Sequence, residues 1–161
     1  MKFAIIADIH ANLEAFQVVL EDIKLQKCTH YACLGDVVGY NANPKECLDM
    51  VRKMNIPVVK GNHDEYCSSD DALEGFNPHA AEAVNWTRKQ LTKDDCQWLR
   101  DTALKQIHPL PVFNMFVLFG NEDCPKRVEL YQETGVTDVP VACYDQDENG
   151  NLRLSTNLEP Q

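Results

Sequence analysis

Phe3-Ala4-Ile5-Ile6-Ala7-Asp8-Ile9-His10 opens the chain as a short apolar run that ends on an aspartate and a histidine one residue apart. The same device recurs twice: Tyr31-Ala32-Cys33-Leu34 leads into Gly35-Asp36, and Ile56-Pro57-Val58-Val59 leads through Lys60 into Gly61-Asn62-His63-Asp64. Each run is rich in β-formers and is separated from the next by a helix-like stretch, a pattern that predicts parallel strands of one sheet and an α/β fold. Ligands of open α/β sheets collect outside the carboxyl ends of the strands. Chain order therefore gathers Asp8, His10, Asp36, Asn62 and His63 around one crevice. Two carboxylates, an imidazole and an amide oxygen suit a hard-to-borderline divalent cation.

Between the runs the helix signals are local and explicit. Asn12 is placed to cap a helix whose apolar positions Leu13, Phe16, Leu20 and Ile23 recur at helical spacing. Asn43-Pro44 and Asn77-Pro78 each open a helix, because proline suits the first turn, where its missing N–H costs nothing. The first of these is expected to bury Cys47, Val51 and Met54, and the second Ala81, Val84 and Trp86. Thr92 with Asp95 three residues on forms a capping-box start for a helix containing Trp98 and Leu99. Ile107 to Pro111 and Val112 to Phe119 return to strand character. Val139 to Tyr144 and Leu152 to Ser155 do the same, joined by a turn whose Asn149-Gly150 pair favours a hairpin.

The length of 161 residues allows one domain, 1–161, with a substantial core. A formal net charge of −10 argues against a nucleic-acid backbone or an anionic membrane as a generic partner, since both need clustered Lys and Arg. A small phosphorylated substrate stays open, because a bound cation reverses the local field. Self-association is left open as well. The first apolar run is too short for a signal peptide and no stretch is long enough to span a bilayer, so a soluble cytoplasmic protein is expected. Seven cysteines without a C-x-x-C pair fit reduced, mostly buried thiols.

The three clusters, D-x-H, then GD, then GNH followed by an acid, resemble in order and spacing the opening half of the calcineurin-like metallophosphoesterase superfamily. Leu34-Gly35-Asp36-Val37-Val38-Gly39-Tyr40-Asn41 with Asn43-Pro44, and Asn85-Trp86-Thr87-Arg88 with Gln90-Leu91, resemble its bacterial phosphodiesterase-like branch. The resemblance implies a β-sheet sandwich flanked by helices and hydrolysis of phosphodiesters or small organic phosphates by a metal-activated water. It further implies that Asp8 and His10 bind one metal, that Asp36 bridges, and that Asn62 starts a second site. His63 would protonate the leaving oxygen or hold the phosphate, with Asp64 supporting it. If the segment is extended, the His63 side chain points away from Asn62 and toward substrate.

The last third departs from that pattern. Phe119 stands at the end of a later strand where the family supplies a histidine, and in Gly135-Val136-Thr137-Asp138 neither Val136 nor Asp138 is the expected histidine. Aligning Gly120-Asn121-Glu122-Asp123 there instead supplies no histidine either, and the connection from Gly120 to Glu133 is shorter than the helix-containing one expected. Asp138 still offers a ligand. One firm site of Asp8, His10, Asp36 and Asp138 is expected to hold Mn²⁺ ahead of Mg²⁺, Fe²⁺, Ni²⁺ or Zn²⁺, beside a weak second site. His30, His79 and His108 read as structural or surface residues. A metal-dependent phosphoesterase is preferred because five motif residues survive together. The alternative is a catalytically impaired relative that keeps the fold as a binding or interaction module.

Overall fold

A computed structural model describes residues 3–108, 115–119, 127–133, 138–146 and 152–155, with side-chain surroundings for 3–104. Strands β1 (Phe3–Ile6) and β2 (His30–Cys33) pair in parallel, Phe3 opposite His30 and Ile6 opposite Cys33. The third apolar run joins them less fully than expected. It forms a parallel bridge at Cys33 and Val58 rather than a named strand, flanked by bonds from the Cys33 amide to Pro57 O (2.9 Å) and from the Val59 amide to Cys33 O (3.0 Å). Pro57 has no N–H to offer a ladder, which accounts for the interruption.

Helix α1 (Leu13–Leu25) follows β1, and Asn12 caps it as expected, its Oδ1 accepting the Ala15 amide at 3.1 Å. Helix α2 (Pro44–Met54) starts on its proline and ends at Asn55, whose φ of 50° makes the left-handed stop that asparagine tolerates. It buries Cys47, Leu48 and Val51. Helix α3 (Asn62–Ser68) is the first correction: the segment read as extended is helical from Asn62 onward. Asp64, three residues inside, accepts the Gly61 amide with Oδ2 at 3.1 Å and so bends the chain into its first turn.

Helix α4 (Pro78–Gln90) buries Ala80, Val84 and Thr87, whereas Trp86, expected to face inward, is exposed. Position 87, three beyond Val84, lies on the buried stripe, and Trp86 sits about 100° away from it. Helix α5 (Lys93–Asp101) closes this part, its Thr92 and Asp95 forming the expected capping box. Among the described cysteines, Cys33, Cys47 and Cys67 are buried, Cys28 and Cys96 are half-buried, and all five are free thiols. Among the described residues no helix is long and apolar enough to cross a membrane.

Beyond α5 the chain forms a second, antiparallel sheet in sequential order: β3 (Lys105–His108), β4 (Met115–Phe119), β5 (Arg127–Glu133), β6 (Asp138–Gln146) and β7 (Leu152–Ser155). Strand β5 was not anticipated. Its pairing with β6 shifts register between Leu130 and Tyr131. The two-residue alternation begun by Val128 and Leu130 is broken at that bulge, and with it the sequence signal. The expected antiparallel pairing of β6 with β7 is present, its Asn149-Gly150 turn lying outside the described residues, and Phe119 is the last residue of its strand, opposite Arg127. Val136 and the Gly120–Asp123 alternative lie outside the described residues.

Asp95 shows how the helical part is tied together. Its carboxylate accepts the Thr92 amide (2.9 Å) and hydroxyl (2.6 Å) and meets Lys45 Nζ and Arg52 Nη1 of α2, each at 3.2 Å. Burial opposes its charge, but the Thr92 and Lys45 contacts outweigh that and hold the carboxyl below the ordinary value of 3.8. A depressed folded pKa adds stability that is fully present above the unfolded value and lost as pH falls through the folded one. Asp95→Asn is therefore expected to lower the unfolding free energy by about 1 kcal/mol at neutral pH, with the gap closing below pH 3.8. Urea titrations of both chains across that range check it; a deficit that does not change with pH contradicts it.

Candidate metal centre

Loop backbones, rather than side chains alone, bring the first two clusters together. The Leu34 amide bonds Ile6 O (2.8 Å) beyond the β1–β2 ladder, and the pairing continues with Asp8 N to Gly35 O (3.2 Å), His10 N to Asp36 O (2.9 Å) and Ala11 N to Val37 O (3.0 Å). The two loops thus run zipped beyond the strand ends. Their geometry is costly: Asp8, His10, Ala11, Asp36 and Tyr40 have φ of 55°, 47°, 57°, 53° and 59°. Left-handed conformations of non-glycine residues cost on the order of 1 kcal/mol or more each and collect at functional sites.

Three donors converge there. Asp8, His10 and Asp36 each offer a ligand atom, all within 4.8 Å of one another. His10 Nδ1 lies 3.2 Å from Val38 O, and a carbonyl only accepts, so Nδ1 carries the hydrogen. In the neutral ring the lone pair then sits on Nε2, which faces Asp8 Oδ1 at 3.6 Å. A histidine whose other nitrogen donates to a backbone carbonyl is the arrangement of a metal ligand. Burial alone would lower the His10 pKa, but Asp8, Asp36 and the Val38 carbonyl together raise it. A cation between the same carboxylates would take the place of that proton, so the donor set fits a divalent ion.

Asp64, which the resemblance sets in support of His63, ties backbone together. Its buried carboxylate gathers four backbone amides: Oδ2 accepts from Asp36 (2.8 Å) and Gly61 (3.1 Å), and Oδ1 from Val37 (2.8 Å) and Val38 (3.2 Å). It holds the GD loop to the start of α3. Asp36 Oδ1 returns the link by accepting the His63 amide at 2.9 Å. Gly61 is required by this closeness, since a Cβ there would stand 2.1 Å from Asp36 Oδ1.

His63 is buried beside the donors, its ring 4.9 Å from that of His10 at 81°. Gly39, at φ 94°, leaves room for it: a Cβ would come within 2.6 Å of His63 Nδ1. Asn62 opens α3 next to it, half-buried. Asp138 opens β6 opposite Glu133, and its side chain lies outside the described surroundings. His30 begins β2 against Phe3, and His79 is exposed in the first turn of α4. Sequence reasoning missed Tyr40, whose ring lies 4.8 Å from His10 and 4.3 Å from His63.

The calcineurin-like phosphoesterase family model matches residues 1–157. The chain belongs to that family. An uncharacterized protein, MJ0912, of Methanocaldococcus jannaschii is 38% identical over 129 residues, which cover 80% of this chain and 52% of that protein. The chain thus spans about half the length of this curated relative. A metallophosphoesterase from Sphaerobacter thermophilus shares 39% identity at a TM-score of 0.55, covering 66% of this chain and 43% of that one. A hypothetical protein, PH1004, from Pyrococcus horikoshii OT3 is similar in fold, with a TM-score of 0.60 at 22% identity over 76% of this chain and 59% of that one. The family uses divalent metals, and the Asp8–His10–Asp36 group is where this chain has donors that could hold one.

The amide count on Asp64 makes a prediction. Asp64→Asn puts an NH₂ group against buried N–H donors and should cost about 3 kcal/mol, with weakened divalent-cation binding. Urea unfolding and calorimetric Mn²⁺ titration check it; a variant as stable as the parent would show that Asp64 does not hold the loop.

Proposed function

We propose that the chain is a metal-dependent phosphoesterase acting on phosphodiesters or small organic phosphates in the crevice at the β1 and β2 ends. The observation that carries this reading is the convergence of Asp8, His10 and Asp36 within 4.8 Å. Asp8, His10 and Asp36, joined by Asp138, would hold the firm cation, Mn²⁺ by preference because the shell is rich in oxygen. Asn62 begins a second site. A bound divalent ion supplies an acidified water and neutralises phosphoryl oxygens. His63 holds the phosphate or gives its proton to the leaving oxygen, and its burial beside His10 supports that place. Asp64 positions His63 through the fold of α3 rather than by touching the reacting atoms.

Phe119 at the end of β4 lacks a lone pair, as does Val136, so the second site is weak in this reading. The same residue favours the second reading, a fold kept for binding without turnover. A small phosphorylated substrate and a cytoplasmic setting belong to the enzyme reading, as does a single domain over 1–161.

Hydrolysis of bis(p-nitrophenyl) phosphate with added Mn²⁺ discriminates the two. Turnover is expected in the parent chain and loss of it in Asp36→Asn; a Mn²⁺-loaded chain without turnover would favour the binding module. His63→Ala should lower turnover by about 100-fold while Mn²⁺ affinity holds, because a proton donor is lost and the ligands remain. Loss of the metal in that variant would instead make His63 a ligand.

Calorimetry should also find one tight Mn²⁺ site in the parent and a second in the Phe119→His, Val136→His double variant. Two tight sites in the parent would refute unequal occupancy.

A further inference from the structure

Tyr40 is placed where folding alone gives little reason for it. Its backbone is left-handed, at φ 59°, in a residue type for which that conformation is a genuine outlier. Its side chain is not compensated by burial either, for the residue is 51% exposed. Neighbouring bonds hold it there: the Asn41 amide donates to His10 O (3.2 Å) and to Gly39 O (2.8 Å), and Asn41 Nδ2 donates to His10 O (2.8 Å). The strained turn is thereby fastened to the backbone of a metal-site residue. The phenol ring meets His63 at 4.3 Å, tilted by 44°, and the edge of His10 at 4.8 Å. It therefore stands at the rim of the crevice, inward side against both imidazoles and the remainder in solvent.

We propose that Tyr40 is a stacking platform for a planar aromatic group attached to the substrate phosphate, which makes aryl or nucleobase-bearing phosphoesters the preferred class. This rests on the phosphoesterase reading. A phosphoryl group held beside His10 and His63 would leave its organic substituent next to the Tyr40 ring, which meets both imidazoles. Stacking on an aromatic ring contributes on the order of 1 kcal/mol or more and tolerates variation in the partner, since every planar ring has a π-face. Stacking by a ligand would offset the cost of holding an exposed aromatic in a left-handed turn. An alkyl substituent has no such face to offer.

The test compares phenyl phosphate with methyl phosphate by calorimetry on the Mn²⁺-loaded chain, in the parent, Tyr40→Phe and Tyr40→Ala. Phenyl phosphate is expected to bind about tenfold more tightly than methyl phosphate to the parent and to Tyr40→Phe. In Tyr40→Ala the two should bind alike, with Mn²⁺ affinity unchanged as the check that the site is intact. A phenyl preference equal in Tyr40→Ala and the parent, no preference in the parent, or no binding of either phosphate would each overturn the platform. Preference without hydrolysis would uphold it while the phosphoesterase reading fails, so the two failures are distinguishable.

Discussion

One carboxylate organises the crevice. Asp64 accepts the amides of Asp36, Val37, Val38 and Gly61: the first three belong to one loop 26 to 28 residues before it, the last to its own helix start. Amide donors on a buried carboxylate are stronger than neutral pairs, and they satisfy N–H groups that a left-handed turn removes from any ladder. The φ of 53° at Asp36 persists because its own amide and the next two are held this way. The Asp36 carboxylate is therefore aimed by an acid two residues beyond Asn62. The neighbouring His63 amide completes the tie by binding Asp36 Oδ1. Two consecutive residues of one helical turn, His63 and Asp64, thus both fasten the GD loop.

What could be read from the sequence was what local chemistry dictates. Asn12, Pro44, Pro78 and the Thr92–Asp95 pair mark their helix starts because a cap needs only a few residues around it. The three strand-end clusters were legible for a related reason: parallel order alone carries Asp8, His10 and Asp36 to one edge. Illegible features depend on distant partners. Helix α3 was hidden because its cap, Gly61, and its Asp64 had been read only as a ligand motif. Strand β5 lost its alternation at the Leu130–Tyr131 bulge, and Tyr40 gave no signal because its meaning lies in a positive φ and two ring contacts. The chain belongs to the calcineurin-like phosphoesterase family, and Asp8, His10 and Asp36 converge at its strand ends. Phe119, at a strand end but without a donor atom, is where the distal sequence parts from the resemblance.

Asp8 is exposed whereas Asp36 is buried, and this would set the order in which an ion is captured and released. Asp36 is buried and already fixed by the His63 amide, so its hydration was surrendered during folding. Asp8 is exposed to solvent. Exchange with solvent would accordingly run through Asp8 as the outer latch, while Asp36 remains as the fixed jaw. The lifetime of an ion held there and the stability of the fold would then answer to different carboxylates, the first to Asp8 and the second to Asp36.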